Sequence, residues 1–426
     1  MNIMDFGAIG DGVTLNTAAI QQAIDTCHSR GGGQVVIPAG NFVSGTIYLK
    51  SNVELHFEHN AHLIASTNLD EYNAIDAYPQ NFGSAGEEWV GKHLILSVEE
   101  TNIAITGHGI IDGNADFFFE EPPEPKKNYG WIYGIAKSKD KEKLRPGQMI
   151  CLVECTHIRI TDITIINSTC WSCFLHGCEY AQIRGIKIFN KPFHANTDGI
   201  DIDTSRYVTV SDCIIDTGDD AFAIRCSAKR LKSKNDRCAF ITITNCVLAS
   251  TISGFRIGVG TGEICHVPVS NITINRACRG IQFATAYSYK GCALIHDMSF
   301  SNITAENIAF PITLMEMNQG CIRNITIQNY RAHAYCASSI TAADAHSISN
   351  INIRDVEIYI KKALHKLNEN EAEERGVYAL DCSNAEDLHF ENVRIIIPEK
   401  LQELWEGVYR AENCENVQVI NCSFPL

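Results

Sequence analysis

Two short acidic segments contain the residues whose types and spacing suit acid–base chemistry. Residues 196–203 read NTDGIDID, and residues 216–221 read DTGDDA. Asp198 precedes Asp219 by 21 residues, and Asp220 follows directly. If one coil of a repeating β-structure has about this length, the carboxylates lie on neighbouring strands roughly 4.7–4.9 Å apart. Clustered carboxylates raise one another's pKa, so one can hold a proton while its partners stay ionised.

Three explanations fit such a cluster. In glycoside hydrolysis, a protonated carboxyl donates to the leaving oxygen while an ionised carboxylate activates water. A calcium ion would also require several carboxylates. The third explanation is that these aspartates occupy solvent-facing turns, where Asp and Asn are common. The spacing alone leaves all three open.

A strand-like repeat supplies the elements that must position these residues. Its segments alternate apolar and polar residues and often begin with Asn. From residue 157 onward they start at His157, Ala181, Tyr207, Phe240, Asn271, Met298, Asn324, Asn350, Leu388 and Asn416. A spacing near 26 residues without helical periodicity indicates a solenoid whose coils bury their inner faces on one another. We therefore predict an all-β fold, a single-domain right-handed parallel β-helix over residues 1–426.

One helix is predicted near the N-terminus. Residues 16–28 have apolar residues at helical spacing, and Asn16 stands at the N-cap position. Three glycines, residues 31–33, end the helix, and residues 34–37 read as a strand. Residues 1–50 are thus expected to hold a capping helix, which covers the open end of the solenoid, and the first strands.

Residues 51–426 are expected to form coils with inserted loops near residues 71–92, 116–144, 227–237 and 361–375. The second loop carries aromatic residues that could stack on sugar rings or pack on the scaffold. The last contains a predicted short helix. The Asn-x-Ser/Thr sequences include those at Asn167, Asn271, Asn302 and Asn324, and three of these four are the repeat's own NIT. The repeat therefore explains them without glycosylation.

The composition excludes some classes of partner. A net charge of -15 argues against nucleic acid and anionic membranes, which require basic surfaces. The 18 cysteines are scattered through a long chain, so we expect buried thiols rather than a disulfide framework. Packing likewise explains the CxxC of Cys170 and Cys173. We expect no cofactor and no metal, and the oligomeric state does not follow from the sequence.

The expected location is cytoplasmic. Residues 1–12 read MNIMDFGAIGDG, which has neither the basic start nor the apolar run of a signal peptide. No apolar stretch approaches the 18 residues that a membrane span requires. A secreted protein would be expected only if a leader had been removed.

The acidic segments resemble a known family. NTDGIDID followed by DTGDDAFAI is similar to the paired NTDG and GDD motifs of the polygalacturonase family of glycoside hydrolases, family 28. The N-terminal DFGAIGDG, the helix and GGGQVVIPAG resemble the start of pectin-active β-helix enzymes. ITGHGIIDGN, the Arg145–Pro146 pair and the segment around Trp171 are similar to bacterial members. The resemblance covers nearly the whole chain.

The resemblance implies inverting hydrolysis by direct attack of water. Asp219 would be the general acid, and Asp198 and Asp220 would hold and deprotonate the water. Asn196 would orient Asp198. Arg225 stands where bacterial members often have Lys, and it would contact substrate oxygens or a catalytic acid.

Two departures from the family pattern affect the substrate. The family's GHG segment corresponds to residues 253–258, with Ser253 at the position of the His. The RIK segment, which binds a galacturonate carboxylate, corresponds to residues 279–284, where Gln282 and Ala284 replace both cations. Losing charge-assisted hydrogen bonds, each worth roughly 1.5–3 kcal/mol, makes plain polygalacturonate a poor substrate. Since rhamnogalacturonan hydrolases of the family also lack that His, we expect a rhamnogalacturonan-type or otherwise substituted pectic oligosaccharide.

Other polar residues are predicted to bind the substrate in place of the missing groups. They are His194, Arg256, Tyr287 and Tyr289. An exo-acting enzyme on short oligosaccharides is expected, with loop 116–144 closing one end of the cleft. A polysaccharide lyase or epimerase on the same scaffold and a non-catalytic carbohydrate-binding solenoid are the alternatives.

Overall fold

The repeated apolar–polar segments form parallel strands, as their alternation predicts. The computed structural model describes residues 1–73, 91–120, 145–228, 231–233, 235–286, 291–361, 376–403 and 405–424. These form two units. The first contains the described residues of 1–120, 145–219 and 227–236, and the second contains residues 220–226 and the described residues of 237–424.

The first unit contains one α-helix, α1 (Thr17–Ser29), and 18 short strands. The strands are β1 Asp11–Leu15, β2 Gly33–Ile37, β3 Gly40–Ser44, β4 Ile47–Tyr48, β5 Val53–Phe57, β6 Ala61–Ala65, β7 Ile95–Val98, β8 Thr101–Gly107, β9 Ile110–Asp112, β10 Ile150–Val153, β11 Thr156–Thr161, β12 Thr164–Ile166, β13 Cys173–His176, β14 Glu179–Arg184, β15 Lys187–Phe189, β16 Ile200–Asp203, β17 Arg206–Ser211 and β18 Ile214–Thr217.

Each full coil of the first unit contributes one strand to each of three parallel stacks. The first stack is β4, β7, β10, β13 and β16. The second is β2, β5, β8, β11, β14 and β17. The third is β1, β3, β6, β9, β12, β15 and β18.

The second unit contains longer strands and a short helix, α2 (Glu399–Gln402). Its strands are β19 Phe222–Cys226, β20 Arg237–Ser250, β21 Ser253–Gly260, β22 Glu263–Ala284, β23 Leu294–Glu316, β24 Cys321–Ala334, β25 Ser338–Ala342, β26 Ile348–Ile360, β27 Gly376–Ser383, β28 Ala385–Glu391, β29 Arg394–Ile396, β30 Trp405–Glu412 and β31 Gln418–Ile420. Pairing is again parallel from coil to coil, for example β21 with β22 and β22 with β23.

The prediction of an all-β, right-handed parallel β-helix is confirmed. The single-domain organisation over residues 1–426 stays a prediction. The predicted helix is α1, whose buried residues Ile20, Ala23, Ile24 and Cys27 are the periodic ones. Asn16 stands at the N-cap, but its side chain instead accepts a hydrogen bond from the Ile9 N–H at 2.7 Å and so fixes the preceding loop.

The core consists of inward-facing residues at alternate strand positions. Ile, Val and Leu dominate, and Phe222 stacks on Phe255 with ring centroids 5.3 Å apart. None of the 18 cysteines, all of which lie in the described residues, forms a disulfide, and most are buried. They pack as small apolar residues, as predicted. No helix of the described residues is long and apolar enough to cross a membrane.

Left-handed residues recur at two positions of the coil. Asn102, His157, Tyr180 and Tyr207 occupy one such position, with φ between 55° and 58°. A second position a few residues later is mostly Asn, Asp or Gly, and Asn302 there donates to the Asn271 side chain at 3.1 Å. Asn tolerates this conformation and bonds to its neighbour, which explains its frequency in the repeat.

One repeat assignment was out of register. The predicted repeat places Asn271 at the same coil position as Phe240 and Asn324, but Ile243 pairs with Val269, and Val267 pairs with Met298. The equivalent coil position is therefore His266, and Asn271 occupies the second turn of its coil. Both turns favour Asn, which is why the two positions look alike in the sequence.

Most of the predicted insertions fall outside the described residues. This applies to the bulk of loops 71–92 and 116–144, including the aromatic residues after position 120, and to all but the first residue of segment 361–375, in which a short helix was predicted. Loop 227–237 is described except for residues 229, 230 and 234.

Candidate active site

The first acidic segment lies at the start of β16 in the first unit. The Ser172 N–H donates to the Asp198 carbonyl at 2.9 Å, so the neighbouring coil holds the segment by its backbone. Asp203, at the end of β16, accepts a hydrogen bond from the Ser227 N–H at 2.8 Å. The buried Asp203 therefore has a structural contact, whereas Asp198, also buried at 5% exposure, lies just before the strand.

Asp219 approaches this segment from the next coil of the same unit. One carboxylate oxygen of Asp198 lies within 4.8 Å of one of Asp219. The backbone N–H of Asn196, a left-handed residue with φ 56°, donates to Asp219 Oδ2 at 3.1 Å. The predicted neighbourhood of Asp198 and Asp219 is thus present, and Asn196 contacts Asp219 through its backbone.

A glycine makes this approach possible. A Cβ atom on Gly218 would lie 2.4 Å from the His194 carbonyl oxygen and 2.5 Å from that of Lys191. Because backbone atoms cannot move aside cheaply, any larger residue at this position would push Asp219 away from the Asn196 loop. The glycine of the GDD motif therefore has a packing reason.

A buried arginine, Arg145, holds the Asn196 loop in place. Arg145, 3% exposed, donates through Nε to the Thr169 carbonyl at 2.6 Å and through Nη2 to the Ala195 carbonyl at 3.2 Å. Nη2 also lies 3.4 Å from Asn196 Oδ1. The guanidinium carbon Cζ of Arg145 lies 4.6 Å from the centroid of the Phe119 ring. Burial lowers the pKa of Arg145 to about 10, so the side chain stays charged at neutral pH.

His194 is packed into the same loop. Its ring stacks on Phe119 with centroids 4.2 Å apart, and the side chain is 2% exposed. Burial lowers the pKa of His194 to about 4, against the opposing effect of Asp116, whose Oδ1 lies 3.8 Å from Nε2. His194 is therefore neutral at neutral pH and shapes the loop by packing.

Asp220 and the remaining predicted residues lie in the second unit. Asp220 follows Asp219 through one peptide bond. Burial raises the pKa of Asp220, although Arg256, the Ser253 side chain, Arg279 and Arg225 all act to lower it. Arg256 Nη1 lies 3.9 Å from Asp220 Oδ2. A buried carboxyl thus lies among three arginines.

The segments that carry the two altered motifs lie on neighbouring strands of the second unit. Ser253 on β21 pairs with Arg279 on β22, and Arg256 pairs with Gln282. The Ser253 hydroxyl donates to Gln282 Oε1 at 3.0 Å, so these two residues form a neutral pair. Arg225 is buried on β19. Tyr287 and Tyr289 lie outside the described residues.

The structure adds residues to those predicted. Phe119, Arg145 and Arg279 contact predicted site residues or act on the charge of one of them. The Arg145–Pro146 pair is one of the features that resemble the family. Which residues Arg145 contacts, here Thr169 and Ala195, depends on the lengths of the coils and could not be predicted from the pair itself. The pair of Asp198 and Asp219 can transfer protons or, with further oxygens, contribute to a site for a hard cation.

Comparison with known proteins gives the family context. A family model described as "Glycosyl hydrolases family 28" matches residues 27–395. A probable polygalacturonase of Vitis vinifera is 30% identical over 53% of this chain and 44% of its own length. An exo-poly-alpha-D-galacturonosidase of Dickeya chrysanthemi is 26% identical over 72% and 55%, respectively. The chain therefore spans about half the length of these curated relatives.

A solved structure has the same fold. The exopolygalacturonase of Thermotoga maritima superposes with a TM-score of 0.72 at 22% identity, covering 93% of this chain and 91% of that one.

Proposed function

The chain belongs to glycosyl hydrolases family 28, and from this we propose that it hydrolyses a glycosidic bond in a pectic oligosaccharide. The observation that carries the proposal is the approach of Asp198 to Asp219, within 4.8 Å, at a loop fixed by the Asn196 N–H. Neighbouring carboxylates repel each other and cost stability, and acid–base catalysis is a function that accounts for their being held together.

We assign Asp219 as the general acid and Asp198 and Asp220 as the groups that hold and deprotonate water. The acid protonates the leaving oxygen as the glycosidic bond breaks, and the water oxygen forms the new bond to the anomeric carbon. The water proton passes to a carboxylate. Both products are saturated, and one carries a new reducing end.

The charges around Asp220 support a uronate-containing substrate. Arg225, Arg256 and Arg279 act together on that carboxyl. Arginine binds carboxylates through charge-assisted hydrogen bonds, so this group can replace the cations missing at Gln282 and Ala284. We therefore propose a rhamnogalacturonan-type or otherwise substituted galacturonan oligosaccharide.

Exo-action is the proposed mode of cleavage. The relative from Dickeya chrysanthemi and the structure from Thermotoga maritima are both named as exo-acting enzymes. Release of single sugars from the end of an oligosaccharide would support this mode, and a ladder of mid-sized products would contradict it.

A cytoplasmic location is also proposed. Its support is that none of the 18 cysteines forms a disulfide, which suits a reducing compartment. Fractionation of the source cells, followed by immunodetection, would test it. Detection outside the cytoplasm would contradict the proposal.

The decisive experiment is product analysis on a panel of pectic oligosaccharides with wild type, Asp219→Asn and Asp212→Asn. Asp212 is an exposed aspartate of the same coil with a left-handed φ of 59°, so its amide variant controls for the loss of one charge. We expect a saturated reducing sugar from wild type and from Asp212→Asn. In Asp219→Asn the rate should fall on the order of 10²–10⁴-fold.

Other outcomes would identify the alternatives. Ultraviolet-absorbing unsaturated products that disappear with a chelator would indicate a lyase. Binding of an oligosaccharide without turnover of any would indicate a carbohydrate-binding solenoid.

A further inference from the structure

A second group of chemically capable side chains converges in the second unit. Glu263 and Cys265 are two residues apart on β22 and therefore point to the same face of the strand. His296 on β23 is the direct pairing partner of Cys265. One ligand atom of each side chain lies within 4.8 Å of the other two, and His296 Nε2 lies 2.8 Å from Glu263 Oε1.

The imidazole is oriented for Nε2 to act as a ligand. His296 Nδ1 lies 2.8 Å from Asp297 Oδ2, so the Nδ1–H donates to that carboxylate in the tautomer that leaves a lone pair on Nε2. Asn324 Nδ2 donates to the other oxygen of Asp297 at 2.7 Å and holds it in place. A carboxylate behind a metal-binding histidine is a common supporting arrangement because it fixes the ring and raises its basicity.

A guanidinium lies against the same atoms. Arg237 Nε is 2.6 Å from Glu263 Oε2, and Nη2 is 3.3 Å from Cys265 Sγ. The Arg237 side chain is 35% exposed. A positive charge is thus already favoured between these two ligands. Because the Arg237 side chain is partly exposed, its guanidinium can move into solvent when a metal ion binds between Glu263 and Cys265.

We propose that Glu263, Cys265 and His296 form a binding site for one divalent transition metal ion of the zinc type. One carboxylate, one thiolate and one imidazole are the ligands that Zn²⁺ and Co²⁺ accept in tetrahedral sites, and the fourth position is left for water. On binding, the Cys265 thiol loses its proton to solvent, a sulfur–metal bond forms, and Arg237 leaves Glu263. The site is independent of the proposed hydrolase activity.

Cobalt titration of the full-length, chelator-treated protein tests the site. We expect one Co²⁺ per chain, a thiolate-to-cobalt charge-transfer band in the near ultraviolet and intense visible bands of tetrahedral geometry. Cys265→Ser should lose the charge-transfer band. Cys321→Ser is the matched control, since it removes a half-buried cysteine two strands away on the same face and should keep the band.

Two further variants separate the site from incidental cobalt binding. Asp297→Asn should weaken binding about 10–100-fold, because only the supporting carboxylate is lost. Arg237→Ala should tighten it, because the competing cation is gone. The proposal is overturned if the band persists in Cys265→Ser or if Arg237→Ala binds no cobalt.

X-ray absorption of the zinc-loaded wild type covers the case in which Cys265→Ser does not fold. One sulfur at about 2.3 Å with nitrogen or oxygen ligands at about 2.0–2.2 Å is expected. A shell of four sulfurs, or of none, would overturn the proposal.

Discussion

At the scale of single residues, the Asn196 loop depends on a buried cation, Arg145, which acts on Asp219 through Asn196. Arg145 bonds to the Thr169 and Ala195 carbonyls and lies beside Asn196, whose N–H in turn donates to Asp219. Arg145 is therefore a positioning residue in the proposed mechanism. Displacement of a reacting group by about 1 Å is enough to cost on the order of 10²-fold in rate.

Arg145→Lys tests this role. Lysine keeps the charge but cannot reach three acceptors with a planar fork, so kcat should fall about 10²-fold while KM changes little. Steady-state kinetics on the active oligosaccharide would measure this split, with the exposed Arg184→Lys as control. Equal losses in the two variants, or a change in KM alone, would contradict the positioning role.

His194 should make the fold sensitive to acid. Its pKa is about 4 in the folded protein and about 6.5 in the unfolded chain, so the unfolded chain takes up the proton first as the pH falls. The contribution of His194 to the free energy of unfolding is fully present above pH 6.5. It falls by about 3 kcal/mol at most as the pH decreases towards 4.

Urea unfolding at pH 7 and at pH 4.5 measures the effect. His194→Phe keeps a ring against Phe119 but cannot be protonated, so its midpoint should fall less on acidification than that of wild type. The exposed His28→Ala should behave like wild type. An unchanged pH dependence in His194→Phe would show that other groups govern acid sensitivity.

The separation of the carboxylates bears on stereochemistry. The nearest oxygens of Asp198 and Asp219 lie within 4.8 Å. This is closer than the roughly 6.5–9.5 Å between carboxyl groups usual in inverting enzymes and is near the 5–5.5 Å of retaining ones. The family resemblance nevertheless implies inversion, and we expect a product of inverted anomeric configuration. Proton NMR during early hydrolysis would show it, and a retained anomer would favour a covalent intermediate.

At the scale of the coil, the left-handed turns combine a backbone constraint with a row of side-chain bonds. Asn302, with φ 55°, donates to Asn271 and accepts from Asn329 at 2.7 Å. Asn302→Ala should destabilise the fold by roughly 2 kcal/mol, because the left-handed conformation and the bonds both disfavour the replacement. Asn302→Gly loses the same bonds but relieves the backbone, so it should cost less.

Denaturant unfolding of the two variants separates these contributions. The difference between Ala and Gly reports the left-handed conformation alone. Identical midpoints would mean that this conformation contributes nothing measurable at Asn302.

The strands and the faces that they bury could be predicted from the sequence, because the alternation of apolar and polar residues is a local pattern. Ile158 and Ile160, for example, are buried on β11 as their spacing predicts. The pairing of Asp198 with Asp219 followed because their spacing is close to one coil. The stack of Phe119 on His194 did not follow, since it depends on the path of a long loop. The meeting of Cys265 with His296 depends on a coil length that the misplaced Asn271 segment obscured, and no metal was predicted.

At the scale of the whole molecule, charge opposes the proposed substrate. The net charge is -15, and pectic uronates are also anionic, so long-range repulsion slows their encounter. Raising the ionic strength from about 0.01 M to 0.15 M shortens the screening length from about 30 Å to 8 Å. We expect kcat/KM to rise several-fold over this range.

A methyl-esterified oligosaccharide provides the control, because it carries little charge and should show little change. A fall in kcat/KM with salt for the charged substrate would show that the arginines near Asp220 dominate the encounter.

The hydrogen bonds that asparagine side chains make between neighbouring coils have a practical consequence for the choice of expression host. Asn167, Asn271, Asn302 and Asn324 stand in Asn-x-Ser/Thr sequences, and the side-chain nitrogen of each donates to a residue of the preceding coil. A eukaryotic secretory pathway attaches its glycan to that same nitrogen. Glycan transfer during synthesis would therefore compete with the stacking of coils. Bacterial production avoids this competition, and in yeast secretion the yield should depend on removing these acceptor sites through their Ser or Thr rather than through the Asn.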